Sequence, residues 1–200
     1  MFTGIVQSVG TVVEVHKLSD NSIQLEVNCN DLNSNSKIGD SIAIAGICLT
    51  VEKVNQDSLT FTAISETLDK TKISEIVKGS SVNIEQSAKL QDLVGGHQVS
   101  GHIDTTGKVV KIAKSDNWSV LRFAIDEKFA NLVVSKGSIS IDGVSLTISN
   151  IMNKDGENWV EVSLIPITMA HTTLGSLVEG NLVNIEFDLV AKYVAQNLKK

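Results

Sequence analysis

The chain has 200 residues, 42% hydrophobic and 20% charged, with a net charge of −6, so it can bury a core as one domain or as two of about 100 residues each. An acidic balance with a single arginine, Arg122, argues against nucleic acid as a partner, because phosphate binding needs a basic patch. No apolar run nears the roughly 18 residues of a membrane span, and MFTGIVQSVG lacks the basic start and long apolar stretch of a signal peptide, so a cytoplasmic protein with no membrane association is expected.

In chain order, TGIVQSVGTVVEV (3–15) opens a first half that reads as β-structure. SIQLEVNC (22–29) alternates strictly, with Ile23, Leu25, Val27 and Cys29 on one face and Gln24, Glu26 and Asn28 on the other. Cys29 is therefore expected to be a small core hydrophobe. GDSIAIAGICLTV (39–51) supplies further strands, LDKTKISEIVKG (68–79) spaces Ile73, Ile76 and Val77 at helical intervals, and IVKGSSVNIE (76–85) returns to a strand. The pattern then restarts. SGHIDTTGKVVKI (100–112) aligns with residues 3–15 at a shift of 97, pairing Gly4 with Gly101 and Gly10 with Gly107, and the shift holds through KGSISIDGVSLTI (136–148). Between them, VLRFAID (120–126) alternates through Leu121, Phe123 and Ile125. DEKFANLVVSKG (126–137) spaces Phe129, Leu132 and Val133 as a short helix before a glycine stop. A four-residue insertion near NKDGEN (153–158) raises the shift to 101. SETLDKT (65–71) then meets PITMAHT (166–172), and IVKGSSVNIE meets LVEGNLVNIE (177–186).

The chain thus holds two homologous domains joined within SAKLQDLVGGHQV (87–99), with expected bounds of 1–92, 93–186 and a tail at 187–200. Short strands, frequent turns and a single proline, Pro166, predict small closed barrels of about six antiparallel strands each. The tail, FDLVAKYVAQNLKK, is expected to be helical. Its Leu189, Val190, Tyr193, Val194 and Leu198 form an apolar stripe followed by two lysines, to be buried either on its own barrel or against sister subunits.

Strand parity locates candidate chemistry. In ICLTV (47–51), Ile47, Leu49 and Val51 share one face, so Cys48 and Thr50 share the other; in VSLTI (144–148), Ser145 and Thr147 oppose Val144, Leu146 and Ile148. Cys48 is then either a rim thiol or a pocket-lining, nucleophilic one. A second asymmetry lies at GGHQVSGHIDTTG (95–107), where His102 aligns with Ile5. His97 and His102 read either as turn residues satisfying local backbone groups or as part of a reactive site. Two cysteines and no third ligand beside the two histidines make a disulfide framework, a structural zinc site and any other metal unexpected. His16 and His171 are expected at the surface.

MFTGIVQSVG, GDSIAIAGICLTV, FTAISETL, GGHQVSGHIDTTG, KGSISIDGVSLTI, SLIPITMAHTTL and FDLVAKYV together resemble the riboflavin synthase family, nearly end to end. The resemblance implies an all-β fold of two tandem homologous six-stranded antiparallel Greek-key barrels plus a C-terminal α-helix that serves trimerisation. It implies a homotrimer that dismutates two molecules of 6,7-dimethyl-8-ribityllumazine, by transfer of a four-carbon unit, into riboflavin and a ribitylaminopyrimidinedione. That reaction is the last step of riboflavin biosynthesis and takes no cofactor or metal. In the family each barrel binds one lumazine, and the active site lies where the first barrel of one subunit meets the second barrel of its neighbour. Carried over by motif, Cys48, Leu49, Thr50 and the stretch Thr62, Ala63, Ile64, Ser65, Glu66 and Thr67 line the first pocket, closed by Gly101, His102 and Ile103. Ser145, Leu146, Thr147 and the stretch Ser163, Leu164, Ile165, Pro166, Ile167 and Thr168 line the second, with Gly4, Ile5 and Val6, while Lys136 lies near the ribityl chain. His102 is the candidate for proton transfer and Cys48 for nucleophile or proton relay, with Ser41 and Thr50 positioning. SLIPIT departs from the family in placing Ile167 where a polar side chain is usual. Fluorescent antenna proteins that resemble the synthase bind without catalysis, with reactive residues or one pocket eroded. Retention of Cys48, His102 and both polar strand pairs favours the enzyme.

Overall fold

The computed structural model describes residues 1–115, 117–154 and 156–198; Asp155 of the predicted insertion and the two final lysines lie outside the described residues. The first half runs β1 (Ser8–Lys17), β2 (Ile23–Asn28), α1 (Leu32–Asn35), β3 (Ser41–Ile44), β4 (Ile47–Thr50), β5 (Lys53–Val54), β6 (Leu59–Ala63), α2 (Ser65–Lys70) and β7 (Ser81–Gln86). The second runs β8 (Thr105–Lys114), β9 (Ser119–Ala124), β10 (Ser138–Ile141), β11 (Val144–Lys154), β12 (Glu157–Leu164), α3 (Pro166–His171) and β13 (Leu182–Phe187), followed by α4 (Leu189–Leu198).

The second half is a closed barrel, β10-β11-β12-β9-β8-β13, whereas the first is a seven-stranded sheet, β4-β3-β7-β1-β2-β6-β5. The strand orders correspond. β11 is one long strand that pairs with both β10 and β12; its counterpart is split at Val51 and Glu52, so that β4 pairs with β3 and β5 with β6. The two ends of the first sheet are therefore consecutive pieces of one segment, linked to β6 by Glu52 N–H donating to Thr60 O at 2.8 Å. The insertion lengthens the β11–β12 hairpin, which pairs out to Lys154 and Glu157, while β5 has only two residues.

Alternation predicts the cores well. Ile23, Leu25, Val27 and Cys29 are buried in the first core, and Leu121, Phe123 and Ile125 in the second. The helical reading of residues 68–79 gives way to two short pieces, α2 and a 3₁₀ turn at Lys72–Glu75. The break is at Thr71, whose hydroxyl donates to Thr67 O at 2.6 Å and accepts from Ile73 N–H, taking over bonds a continuous helix would make. The stretch 126–137 likewise forms only a 3₁₀ turn, Glu127–Leu132.

The barrels join through a pseudo-twofold arrangement. Asn83 Nδ2 donates to Asp142 O while its Oδ1 accepts from Thr173 N–H; Asn184 Nδ2 donates to Ala45 O while its Oδ1 accepts from Lys72 N–H. One ion pair breaks the symmetry. Lys72 Nζ lies 2.5 Å from the wholly buried Asp142, whose aligned residue in the first half is Ala45. Burial pushes the Asp142 carboxyl above the usual range, against the pull of Lys72.

No residue of α4 is buried. Lys192 pairs with Asp104 at 2.5 Å and Leu189 is half-buried, but Val190, Tyr193, Val194 and Leu198 are 53–82% exposed, so most of the stripe is not covered by its own barrel.

Candidate functional site

Two chain segments cross between the barrels. The N-terminal strap, residues 2–6, reaches from the first half onto the second, and residues 99–103 reach from the second onto the first; they meet where Phe2 and Val99 form a two-residue antiparallel bridge. Phe2 and Val99 align at the same shift as the rest of the repeat, so this bridge sits on the pseudo-twofold axis. Val6 then packs against the second core and Ile103 against the first.

The first strap contact centres on Gly101. Its carbonyl accepts from Cys48 N–H at 2.9 Å, its φ is +81°, and a Cβ there would lie 2.5 Å from Cys48 Cβ. Glycine is required on both counts. The mirror contact is Gly4 O with Ser145 N–H at 2.8 Å, again with φ at +74° and a Cβ that would meet Ser145 Cβ at 2.5 Å.

Each strap is held by a buried carboxylate. Glu85 on β7 accepts from Thr3 N–H and Thr3 Oγ1, both at 2.7 Å, and from Gly4 N–H at 3.0 Å. Glu186 on β13 accepts from Ser100 N–H at 2.7 Å, Ser100 Oγ at 2.5 Å and Gly101 N–H at 2.9 Å. Burial raises the Glu85 carboxyl from its ordinary value, opposed by the bonds from Thr3 and Gly4.

Around Gly101 lies a cleft of about 240 Å³ lined by Cys48, Glu66, Thr67, Lys70, His102 and Ile103, among others. Cys48 and Thr50 lie on β4 opposite Ala43 and Ser41 of β3, which places Ser41 on the face that bears Cys48. Cys48 is half-buried against Phe2, Ala43 and Val99. His102 is exposed at the cleft mouth. Thr62 is half-buried and donates to Glu52 at 2.9 Å; Ile64 and Ser65 are exposed at the start of α2. Leu49 and Ala63 differ from the other predicted lining residues, because their side chains are buried in the first core.

In the second half Ser138 opposes Thr147 and Ser140 opposes Ser145. Ser163, Ile165, Pro166 and Ile167 are exposed and Thr168 half-buried, while Leu164 is buried in the second core and Leu146 packs against it. Ile5, the partner of His102 in the repeat, is 49% exposed. Lys136 precedes β10 with φ at +68°, where its aligned residue is Gly39. A lysine held in left-handed backbone is unfavourable locally, which makes its side chain a candidate functional group.

His97, for which the sequence left both a turn role and a reactive one open, lies beside the second strap contact. Its Nδ1 is 2.6 Å from Ser145 Oγ, its N–H donates to Thr3 O at 3.1 Å, and its buried Nε2 has no partner among the described residues. Burial lowers its pKa, with Asp188 and Glu186 pulling the other way. Glu85 and Glu186 escaped the sequence reading. Their signal was there: VNIE occurs at 82–85 and 183–186, an identical stretch that puts an acid and an amide together on one strand face.

The two cysteines differ sharply. Burial pushes the Cys29 thiol up to about 12, leaving Cys48 as the accessible one. Among the described residues no group of three or more His, Cys, Asp or Glu is gathered as metal ligands, and no helix is long and apolar enough to cross a membrane.

A lumazine binding domain model matches residues 3–87 and again 100–188. Riboflavin synthase of Mycobacterium tuberculosis is 42% identical over 200 residues, covering 100% of this chain and 98% of the relative. That of Bacillus subtilis is 37% identical over 200 residues, covering 100% and 91%. LumP crystallised with 6,7-dimethyl-8-(1'-D-ribityl) lumazine superposes with a TM-score of 0.82 at 25% identity, covering 93% of this chain and 98% of LumP. LumP with riboflavin superposes at 0.86 and 24% identity, covering 94% and 100%, a likeness of fold.

Proposed function

The chain belongs to the riboflavin synthase family of lumazine-binding proteins, and from that premise we propose how its two half-sites convert two molecules of 6,7-dimethyl-8-ribityllumazine into riboflavin and a ribitylaminopyrimidinedione. The observation that carries the reading is the matched pair of strap contacts, Gly101 on Cys48 and Gly4 on Ser145. A pseudo-twofold scaffold presents two copies of one molecule in opposite orientation, which is what a dismutation between identical substrates needs.

The chemistry divides accordingly. The 7-methyl group of one lumazine is acidic because its carbanion delocalises into the ring, and the other lumazine accepts a nucleophile at C7. His102, at the mouth of the Cys48 cleft, moves the methyl proton; Cys48 serves as nucleophile or proton relay, with Ser41 and Thr50 positioning. In the second half-site His97 orients Ser145 through its 2.6 Å contact, and burial favours its neutral ring. Hydroxyls at Thr50, Thr67, Thr147 and Thr168 suit an uncharged heterocycle and a polyol.

The working unit is a homotrimer in which a neighbour's second barrel faces the first. Support comes from the exposed stripe on α4 and from the Cys48 cleft, whose 240 Å³ falls short of the roughly 300–1,000 Å³ usual for small-molecule pockets. Free thiols at Cys29 and Cys48 fit the reducing cytoplasm as its location.

The test follows lumazine absorbance and riboflavin fluorescence together in the purified protein. Two lumazines consumed per riboflavin formed is the expected result. A tightly held fluorophore with no riboflavin produced would assign the chain to ligand carriage instead.

A further inference from the structure

The strap geometry couples each half-site to a residue of the opposite barrel. Gly101 is gripped from both sides: its N–H donates to Glu186 of the second barrel at 2.9 Å, and its carbonyl accepts from Cys48 N–H of the first at 2.9 Å. The grip extends one residue further. Ser100 Oγ gives its only proton to Glu186 and accepts from His102 N–H at 3.2 Å. A chain of hydrogen bonds therefore runs from a β13 carboxylate to the backbone of the residue at the Cys48 cleft mouth. Glu85 mirrors it, with Thr3 Oγ1 donating to the carboxylate and accepting from Ile5 N–H at 3.3 Å, and Gly4 lying on Ser145.

We infer that Glu186 and Glu85 are crossed positioning residues: Glu186, rooted in the second barrel, sets His102 over the Cys48 half-site, and Glu85, rooted in the first, sets Gly4 and Ile5 over the Ser145 half-site. Neither carboxylate is placed to touch the lumazine. Each is almost wholly buried, and its oxygens are occupied by the strap donors. The design makes the half-sites interdependent, because a change in either barrel is read out in the other's pocket. It also explains why an acid recurs at both positions although the residues that it serves, His102 and Ile5, differ.

The inference deepens the proposed reaction and rests on reading the Cys48 cleft as a lumazine half-site, so its test has an arm that needs no turnover. Cys48 lies in one half-site only, and the other thiol is deeply buried. Iodoacetamide labelling of Cys48, followed by mass spectrometry in the folded full chain, therefore reports on the first strap alone. Glu186→Gln replaces one acceptor oxygen with a donor amide and frees part of the strap. Labelling of Cys48 should accelerate several-fold in Glu186→Gln and change far less in Glu85→Gln. In the turnover assay Glu186→Gln should lower kcat by about 10- to 100-fold, the scale of a misplacement of about 1 Å, with KM moving less. Ser100→Ala, which leaves the Glu186 bonds to both backbone N–H groups in place, should reproduce a smaller part of both effects. It also serves if Glu186→Gln does not fold. Equal acceleration in the two glutamine variants, or acceleration only in Glu85→Gln, overturns the crossed assignment. So does unchanged labelling in both Glu186→Gln and Ser100→Ala. A protein that makes no riboflavin but labels in the expected order refutes the reaction and leaves the crossed geometry standing.

Discussion

Cys48 and Cys29 carry the same functional group in opposite circumstances, and one β-strand parity separates them. Cys29 directly follows β2, in line with its inward face, and is fully buried, with its thiol pushed up to about 12; Cys48 sits on the outward face of β4 beside the cleft. At pH 8 alkylation should modify Cys48 and spare Cys29, with bound riboflavin slowing the reaction; labelling of Cys29 at a matching rate would contradict the assignment. Cys48→Ser should reduce turnover, and normal turnover in that variant removes the thiol from the mechanism. His97 predicts a pH effect. Its folded pKa lies below the ordinary 6.5, so between 6.5 and the folded value the unfolded chain binds more protons. Its contribution to stability is complete above pH 6.5 and is lost as pH falls through the folded value. Glu85 and Asp142, both raised, act with the opposite sign. The contribution is therefore read as a difference: the melting temperature of the native chain should fall relative to that of His97→Gln as pH drops from 7 to 5.

At the scale of elements the straps matter more than the strands. The strands could be placed by alternation; the straps could not, because TGIV and SGHI carry no periodicity that tells which barrel they join. Their glycines show the constraint. Gly101→Ala would place Cβ 2.5 Å from Cys48 Cβ and hold a substituted residue at φ +81°. A loss of about 1–3 kcal/mol is expected in urea unfolding, together with a damaged Cys48 half-site. The helical segments show the reverse lesson. Spacing of Ile73, Ile76 and Val77 matches a helix, yet Ile73 and Ile76 are buried from a 3₁₀ turn and its extended exit while Val77 is 62% exposed, because Thr71 diverts the local hydrogen bonds.

At the scale of the molecule, one ion pair lies where the two halves join and one helix carries the exposed stripe proposed to join subunits. Lys72→Met would leave Asp142 buried without its counter-ion, and a loss of about 3 kcal/mol follows from breaking one partner of such a pair. That loss should shrink as pH falls, since unpaired Asp142 then takes a proton. The double change Lys72→Met with Asp142→Ala should recover much of it, because the aligned residue in the first half is already Ala45. Failure of the double variant to recover would mean that the pair does more than neutralise itself. For the helix, the proposed trimer joined through α4 predicts that Val194→Glu lowers the sedimentation coefficient from trimer towards monomer and reduces turnover while far-UV circular dichroism stays unchanged. A variant that remains trimeric would move the subunit contact away from α4.

The sequence by itself determined the duplication, the β character of each half, the inward faces of the strands and the outward pairs Cys48 with Thr50 and Ser145 with Thr147, because a pleat of period two and a repeat of fixed shift are local or self-referential patterns. It did not determine that Ala63 and Leu164 turn into the cores, that the first half's closing strand is interrupted, or that His97 reaches Ser145. Tertiary structure alone decided those, together with the crossing of the straps and their capture by Glu85 and Glu186, because these bonds join residues more than 80 positions apart at the two ends of each half, and the contacts of Gly101 with Cys48 and Gly4 with Ser145 depend on how the two halves dock. No periodicity within either one encodes that.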